Sequence, residues 1–160
     1  MPRAPRILSA AVATALVAIA LAVPGAAAGY DRSNPNSTGC TTKSASVVAA
    51  TVRTYGVWQV GLKRSAGCNT VWAFANRTDT KKCQTGSTNC VKVKVVRTRL
   101  GVVTSSGARR SPVGSRGAFS LQLEGRPSSS FVGTAVTPGG RLIGTTGTLR
   151  VDAAGHWSTA

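Results

Sequence analysis

The sequence predicts an all-β domain: a small antiparallel sandwich or barrel, stapled by disulfides and preceded by a signal peptide. Three observations carry this expectation. Short apolar runs alternate with period two and are separated by Gly-, Ser- and Pro-rich turns at close spacing. Helix-period apolar patterns are missing after the first 28 residues. Four cysteines follow that segment, Cys40, Cys68, Cys83 and Cys90, in a remaining chain of about 132 residues that suits one modest core.

The elements follow in chain order. Arg3 and Arg6 form a short positive stretch, and Ile7 to Val23 is uncharged and mostly apolar. Pro24-Gly25 breaks any helix, and Ala26-Ala27-Ala28 offers the small residues that a signal peptidase reads. The apolar run is short for a bilayer span of ~20 residues, so cleavage near residue 28 is expected. The product is then secreted, extracellular or wall-associated, and no later segment is apolar enough to span a membrane.

Residues 29–39 are polar and turn-rich, an irregular lead-in held down at Cys40. Residues 46–53 fit either a strand, through Val47, Val48 and Val52, or a short helix, through Ala49 and Ala50. Trp58, Val60 and Leu62 alternate as a strand, Ser65-Ala66-Gly67 turns the chain, and residues 70–75 return with Trp72 and Phe74 on one face. Trp58 and Trp72 suit a sheet core. Residues 76–89 read as a polar loop. Val91, Val93 and Val95 then alternate with Lys92 and Lys94, a strand with one wet face.

Residues 104–117 are rich in Ser, Gly and Arg, include Arg109-Arg110 and Pro112, and read as a mobile basic loop. Phe119, Leu121 and Leu123 alternate as a further strand. Residues 131–136 and 142–145 form a hairpin about Thr137-Pro138-Gly139-Gly140, and residues 148–151 form another strand. Asp152 to Gly155 turns the chain, and His156-Trp157 starts a short edge strand. In domain terms, 29–103 holds all four cysteines and 104–117 is a loop. Residues 118–160 complete the same domain or form a small second subdomain.

Four cysteines allow three pairings, and an exported chain reaches an oxidising compartment where disulfides persist. Cys40–Cys68 with Cys83–Cys90 is favoured, because Gln84 to Asn89 is a turn-rich loop across which Cys83 and Cys90 can meet. Chain entropy sets the gain at no more than about 3.6 and 2.5 kcal/mol. No C-x-x-C pair exists and His156 is the single histidine, so neither zinc nor thiol redox chemistry is expected, and no cofactor.

Part of the chain carries a resemblance. Tyr30-Asp31, Asn34-Pro35 and Thr38-Gly39-Cys40 are followed by Val60-Gly61-Leu62-Lys63-Arg64-Ser65-Ala66-Gly67-Cys68-Asn69-Thr70-Val71-Trp72-Ala73. This stretch, about residues 29–75, resembles the YjfA family, secreted proteins carrying a domain of unknown function. Lys63-Arg64 stands where that family has Arg-Tyr, and Ala66 where it has Pro. The resemblance implies secretion and the Cys40–Cys68 framework. It implies no activity, cofactor or catalytic residue.

Composition argues against an enzyme. After residue 28 there are four carboxylates, Asp31, Asp79, Glu124 and Asp152, too few and too dispersed for paired acid–base or carboxylate metal sites. A serine hydrolase would have to use His156, four residues from the C-terminus, and no Gly-x-Ser-x-Gly is present. Removing Arg3 and Arg6 leaves 18 Lys and Arg against those four acids, a net +14 over residues 29–160. Such a charge attracts extracellular polyanions nonspecifically, wall teichoic acid or free nucleic acid. Candidate contacts are Lys63, Arg64, Lys81, Lys82, Lys92, Lys94, Arg97 and Arg99. A protein-binding module, inhibitor or toxin-like, that uses the loop at 101–117 is one alternative, and a small hydrolase centred on His156 is another.

Overall fold

The computed structural model describes residues 29–160; the signal-peptide expectation for 1–28 lies outside the described residues. Thirteen strands run in order among those described: β1 (Ala45–Val47), β2 (Arg53–Tyr55), β3 (Trp58–Ser65), β4 (Thr70–Arg77), β5 (Lys92–Arg99), β6 (Val102–Ser105), β7 (Arg109–Arg110), β8 (Gly117–Phe119), β9 (Leu123–Glu124), β10 (Ser129–Val136), β11 (Leu142–Thr145), β12 (Leu149–Val151) and β13 (Trp157–Thr159).

They form two antiparallel sheets built alike. In the first, the β3–β4 hairpin is central, β1 and β2 pair along the free side of β3, and β8 and β9 along that of β4. In the second, β5 and β10 are central, β6 and β7 pair along β5, and β11 and β12 along β10; β13 extends the sheet from β12. The sheets stack on one core and neither closes on itself, so of the two expected architectures the sandwich is the one realised. Pairing of β5 with β10 in one core joins the two halves of the chain.

The period-two pattern sets which side chains meet. Val60, Leu62, Val71, Ala73 and Ala75 of the first sheet face Val93, Val95, Phe131 and Ala135 of the second. Each large one contributes roughly 1.5–3 kcal/mol by leaving water. Where the sheets come closest, a Cβ on Gly133 would stand 2.7 Å from the Ala73 Cβ, so only glycine fits. Trp72 is buried but belongs to the opposite face of the first sheet, outside this core. The leading segment covers that face. It is tied to the β3–β4 turn by Cys40–Cys68 and to residue 122 by the Arg32 N–H, which donates to the Gln122 carbonyl.

All four long strands are eight residues, and each is flanked by a strand broken in two. A buried hydroxyl sits at every break: Thr51 beside β3, Ser120 beside β4, Ser106 beside β5 and Thr146 beside β10. Each Oγ accepts the backbone N–H of the long strand opposite, from Leu62 (3.0 Å), Ala73 (3.0 Å), Val95 (3.0 Å) and Gly133 (2.8 Å). In the last three the same hydroxyl donates to the carbonyl of the next residue, Leu121, Gly107 or Gly147. The side chain therefore does what the displaced carbonyl would have done, and no long-strand N–H at a break is orphaned.

These breaks correct two expectations and resolve an ambiguity. Phe119, Leu121 and Leu123 do not form one strand: the chain is interrupted after β8, Ala118 and Leu123 face the core, and Phe119 pairs with Phe74. The segment 104–117, expected as a mobile loop, carries the end of β6 and all of β7, with Ser106 and Ser111 buried against β5. The ambiguous stretch at 46–53 contains both kinds of structure, β1 and then a 3-10 turn at Ala49–Thr51.

Both disulfides form as favoured, Cys40–Cys68 and Cys83–Cys90, with Cα separations of 5.7 and 4.5 Å. The second closes the loop between β4 and β5.

Replacing Ser120 by Ala strands the Ala73 N–H in the sheet and is expected to cost about 1–3 kcal/mol. Ser106→Ala should do the same at Val95. Thr98→Ala, on the open face of β5, should stay within about 0.5 kcal/mol. Urea denaturation of the three variants checks the contrast.

Candidate functional site

All four carboxylates of the described residues are engaged. Asp31 accepts from the Arg97 guanidinium at 2.9 and 3.0 Å, from Arg126 at 3.3 Å and from the Glu124 N–H at 2.7 Å. Glu124 accepts from Arg126 at 3.0 Å and from the Tyr30 N–H at 2.8 Å. Asp79 pairs with Arg77, whose guanidinium hydrogen bond holds it below the usual carboxylate range. Asp152 accepts the His156 N–H and lies 3.2 Å from Nδ1 of the same residue. The His156 ring is solvent-exposed.

The Asp31 cluster fastens the leading segment to the sandwich. Burial works against an ionised Asp31. Hydrogen bonds from Arg97 and the Glu124 N–H, together with the charges of Arg97 and Arg126, outweigh it and hold the carboxyl below its ordinary range.

Fifteen of the 18 described Lys and Arg residues are left with no carboxylate partner. The eight candidates do not form one patch. Lys63 lies on the outer face of the first sheet, its ammonium 5.9 Å from the Phe74 ring centroid. Arg64 turns the other way, with its guanidinium 4.4 Å from the Trp157 ring, and burial lowers its pKa. Lys81 and Lys82 are exposed in the loop after β4. Arg97 is buried and held by Asp31, so it is no surface contact; it continues the inward parity of Val91, Val93 and Val95. Arg99 is exposed at the end of β5, where its Nε donates to the Pro127 carbonyl.

Lys92 and Lys94 do meet, on the outer face of the second sheet. Two residues outside the candidate set join them there. Arg110 of β7 is the direct cross-strand neighbour of Lys92, and Arg150 of β12 points away from the core. Hydroxyls separate the charges: Thr134 stands opposite Lys94, Thr145 opposite Thr134, and Ser130 between Thr98 and Arg150. Val96 and Val132 fill the middle of the face. Arg150 was within reach of the sequence, since Leu149 and Val151 alternate around it. Arg110 was not, because its strand is two residues long.

The geometry is that of an open, shallow plane. Like charges directly opposite on antiparallel strands destabilise a sheet, so the Lys92–Arg110 pair is a local cost that a bound anion would relieve. Elsewhere, a groove of about 800 Å³ lies at one end of the sandwich between Tyr55, Trp58, the 86–88 loop and the 137–139 turn. It holds no carboxylate or histidine.

No family model, curated protein or solved structure matches the chain. Among the described residues, no helix is long and apolar enough to cross a membrane.

Stability is expected to fall as the pH drops below about 4. The folded pKa of Asp31 is depressed, so its contribution is complete above the unfolded-chain value and is lost as the folded carboxyl protonates. Asp31→Asn should flatten that acid limb and lower neutral-pH stability by roughly 1–3 kcal/mol, discounted for partial exposure. Denaturant melts between pH 5 and pH 2 measure both.

Proposed function

We propose that this is a secreted, noncatalytic β protein that associates electrostatically with extracellular polyanions such as wall teichoic acid or free nucleic acid. The observation that carries the reading is the outer face of the second sheet, where Lys92, Lys94, Arg110 and Arg150 stand among hydroxyls; Asp31, Asp79 and Glu124 are held by arginines, and Asp152, the one carboxylate beside Arg150 among the described residues, is paired with His156. Long-range attraction needs no pocket, only a sustained field of one sign. The plane is open, with Lys92, Lys94 and Arg110 grouped at one end of β5 and Arg150 two strands away opposite Ser130, which suits a flexible polymer better than a single shaped ligand.

The noncatalytic part of the proposal rests on how the titratable groups are used. Asp31, Glu124 and Asp79 hold arginines, and all four thiols are in disulfides. Secretion is supported by those disulfides, which persist in oxidising compartments, and by the YjfA-like stretch at 29–75.

Binding to immobilised polyphosphate should weaken steeply with salt. The triple variant Lys92→Gln, Lys94→Gln, Arg110→Gln should reduce the log–log salt slope by about 2–3. A matched triple at Lys43, Arg53 and Arg116, away from this face, should change it far less. Affinity that ignores ionic strength, or equal losses from the two triples, would count against this face as the site.

A further inference from the structure

The turn between β5 and β6 consists of Leu100 and Gly101, with φ of 48° and 80°. Two consecutive positive-φ residues make the tight hairpin turn that matches strand twist, and that turn prefers Asn-Gly or Asp-Gly. This chain places a leucine at the first position, where a Cβ and a branched side chain are strained. The same leucine is 76% exposed. The next two residues, Val102 and Val103, are each 66% exposed. Neighbouring strand residues point to opposite sides, so both sides of the hairpin are open; only Leu100 and Gly101 extend past the ladder, since Arg99 and Thr98 still pair with Ser129 and Ser130.

Strand preference accommodates the two valines, but neither turn preference nor core packing accounts for Leu100. We propose that this hairpin end inserts into the interfacial layer of an anionic lipid bilayer, with nearby cations against the headgroups. Arg99 flanks the turn and is exposed. Val103 lies in the cross-strand row that runs through Thr98 and Ser130 to Arg150 on the basic face.

The size of the patch favours a bilayer over a protein. A stable protein interface takes about 20–30 residues a side, and three aliphatic residues on a narrow projection cannot supply its core. A bilayer needs no shape complementarity. It stabilises each methylene that leaves water and each cation that nears its charged surface. The inference is separate from the polyanion reading, because a soluble polyanion offers no apolar layer.

Cosedimentation with phosphatidylcholine vesicles, with and without phosphatidylglycerol, tests it, alongside binding to soluble polyphosphate. Leu100→Asn should melt at or above the wild-type temperature and bind polyphosphate unchanged. Its partition onto phosphatidylglycerol vesicles should fall at least about tenfold. The double variant Val102→Thr, Val103→Thr gives the same readout without touching the turn. Wild-type binding to polyphosphate but not to vesicles would overturn the membrane proposal and leave the polyanion reading standing. Vesicle binding by both variants as tight as wild type would overturn it too. Vesicle binding that Leu100→Asn abolishes, with no polyphosphate binding at all, would support insertion and overturn the polyanion reading.

Discussion

The fold depends on keeping the backbone of four long strands fully hydrogen-bonded while the strands beside them bend. A two-sheet sandwich of this size twists strongly, and straight eight-residue neighbours on every side would splay from the core. Bending a flanking strand turns one carbonyl away and leaves an N–H in a dry interior, at a cost comparable to a lost hydrogen bond. Thr51, Ser106, Ser120 and Thr146 resolve the conflict by substituting a hydroxyl for the missing carbonyl. Two of these breaks meet: the Gly147 N–H donates to the Thr51 carbonyl, joining the sheets along one edge. A Cβ on Gly147 would stand 3.0–3.1 Å from the Arg53 guanidinium, the Ala50 carbonyl and the Thr51 Cα, so the neighbours would have to give way slightly.

The acids and the surface charge are two consequences of one allocation. With four carboxylates in the described chain, each one engaged in fastening a loop or the leading segment is one fewer to neutralise the exterior. Asp31 and Glu124 together fix Tyr30, Arg97 and Arg126, and so position the segment that shields Trp72. The surface is left strongly basic, and mutual repulsion among its cations opposes compaction. Two disulfides act in the other direction by restricting the unfolded chain. Such a protein trades electrostatic ease for a one-signed field, which makes sense where anions are the partner.

Long strands were legible in the sequence because their burial alternates cleanly, as at Trp58–Val60–Leu62 and Val91–Val93–Val95. The cysteine pairing was legible because a turn-rich loop separates Cys83 from Cys90. The flanking strands were not. At Ser106 and Ser120 the residue that completes a sheet is the same residue type that marks a loop, and only the N–H facing it distinguishes the two. Trp72 and Phe74 were rightly placed on one face, but the sequence did not say that this face turns away from the main core. Arg97 continues the inward parity of Val93 and Val95, but its partner Asp31, 66 residues away, is known only once the fold brings it there.

Leu100 is a different kind of departure, because there the local rule is broken and nothing inside the molecule compensates. At Ser120 or Gly133 an unfavourable choice is offset by a visible contact. At Leu100 a polar residue would relieve both the left-handed backbone and the exposed apolar surface, without disturbing any packed neighbour. Among the described non-glycine residues with positive φ, Leu100 is the one large aliphatic, and it is exposed. The basic face and the hairpin end lie in the same sheet, linked by the continuous backbone of β5. A charge field that draws Arg99 and Arg150 toward an anionic surface acts at the tip's end of the sheet, whereas Lys92, Lys94 and Arg110 stand at the far end of β5. Attraction by the face depends on ionic strength and insertion of the tip does not, and a molecule combining them would tolerate salt that strips a purely electrostatic binder.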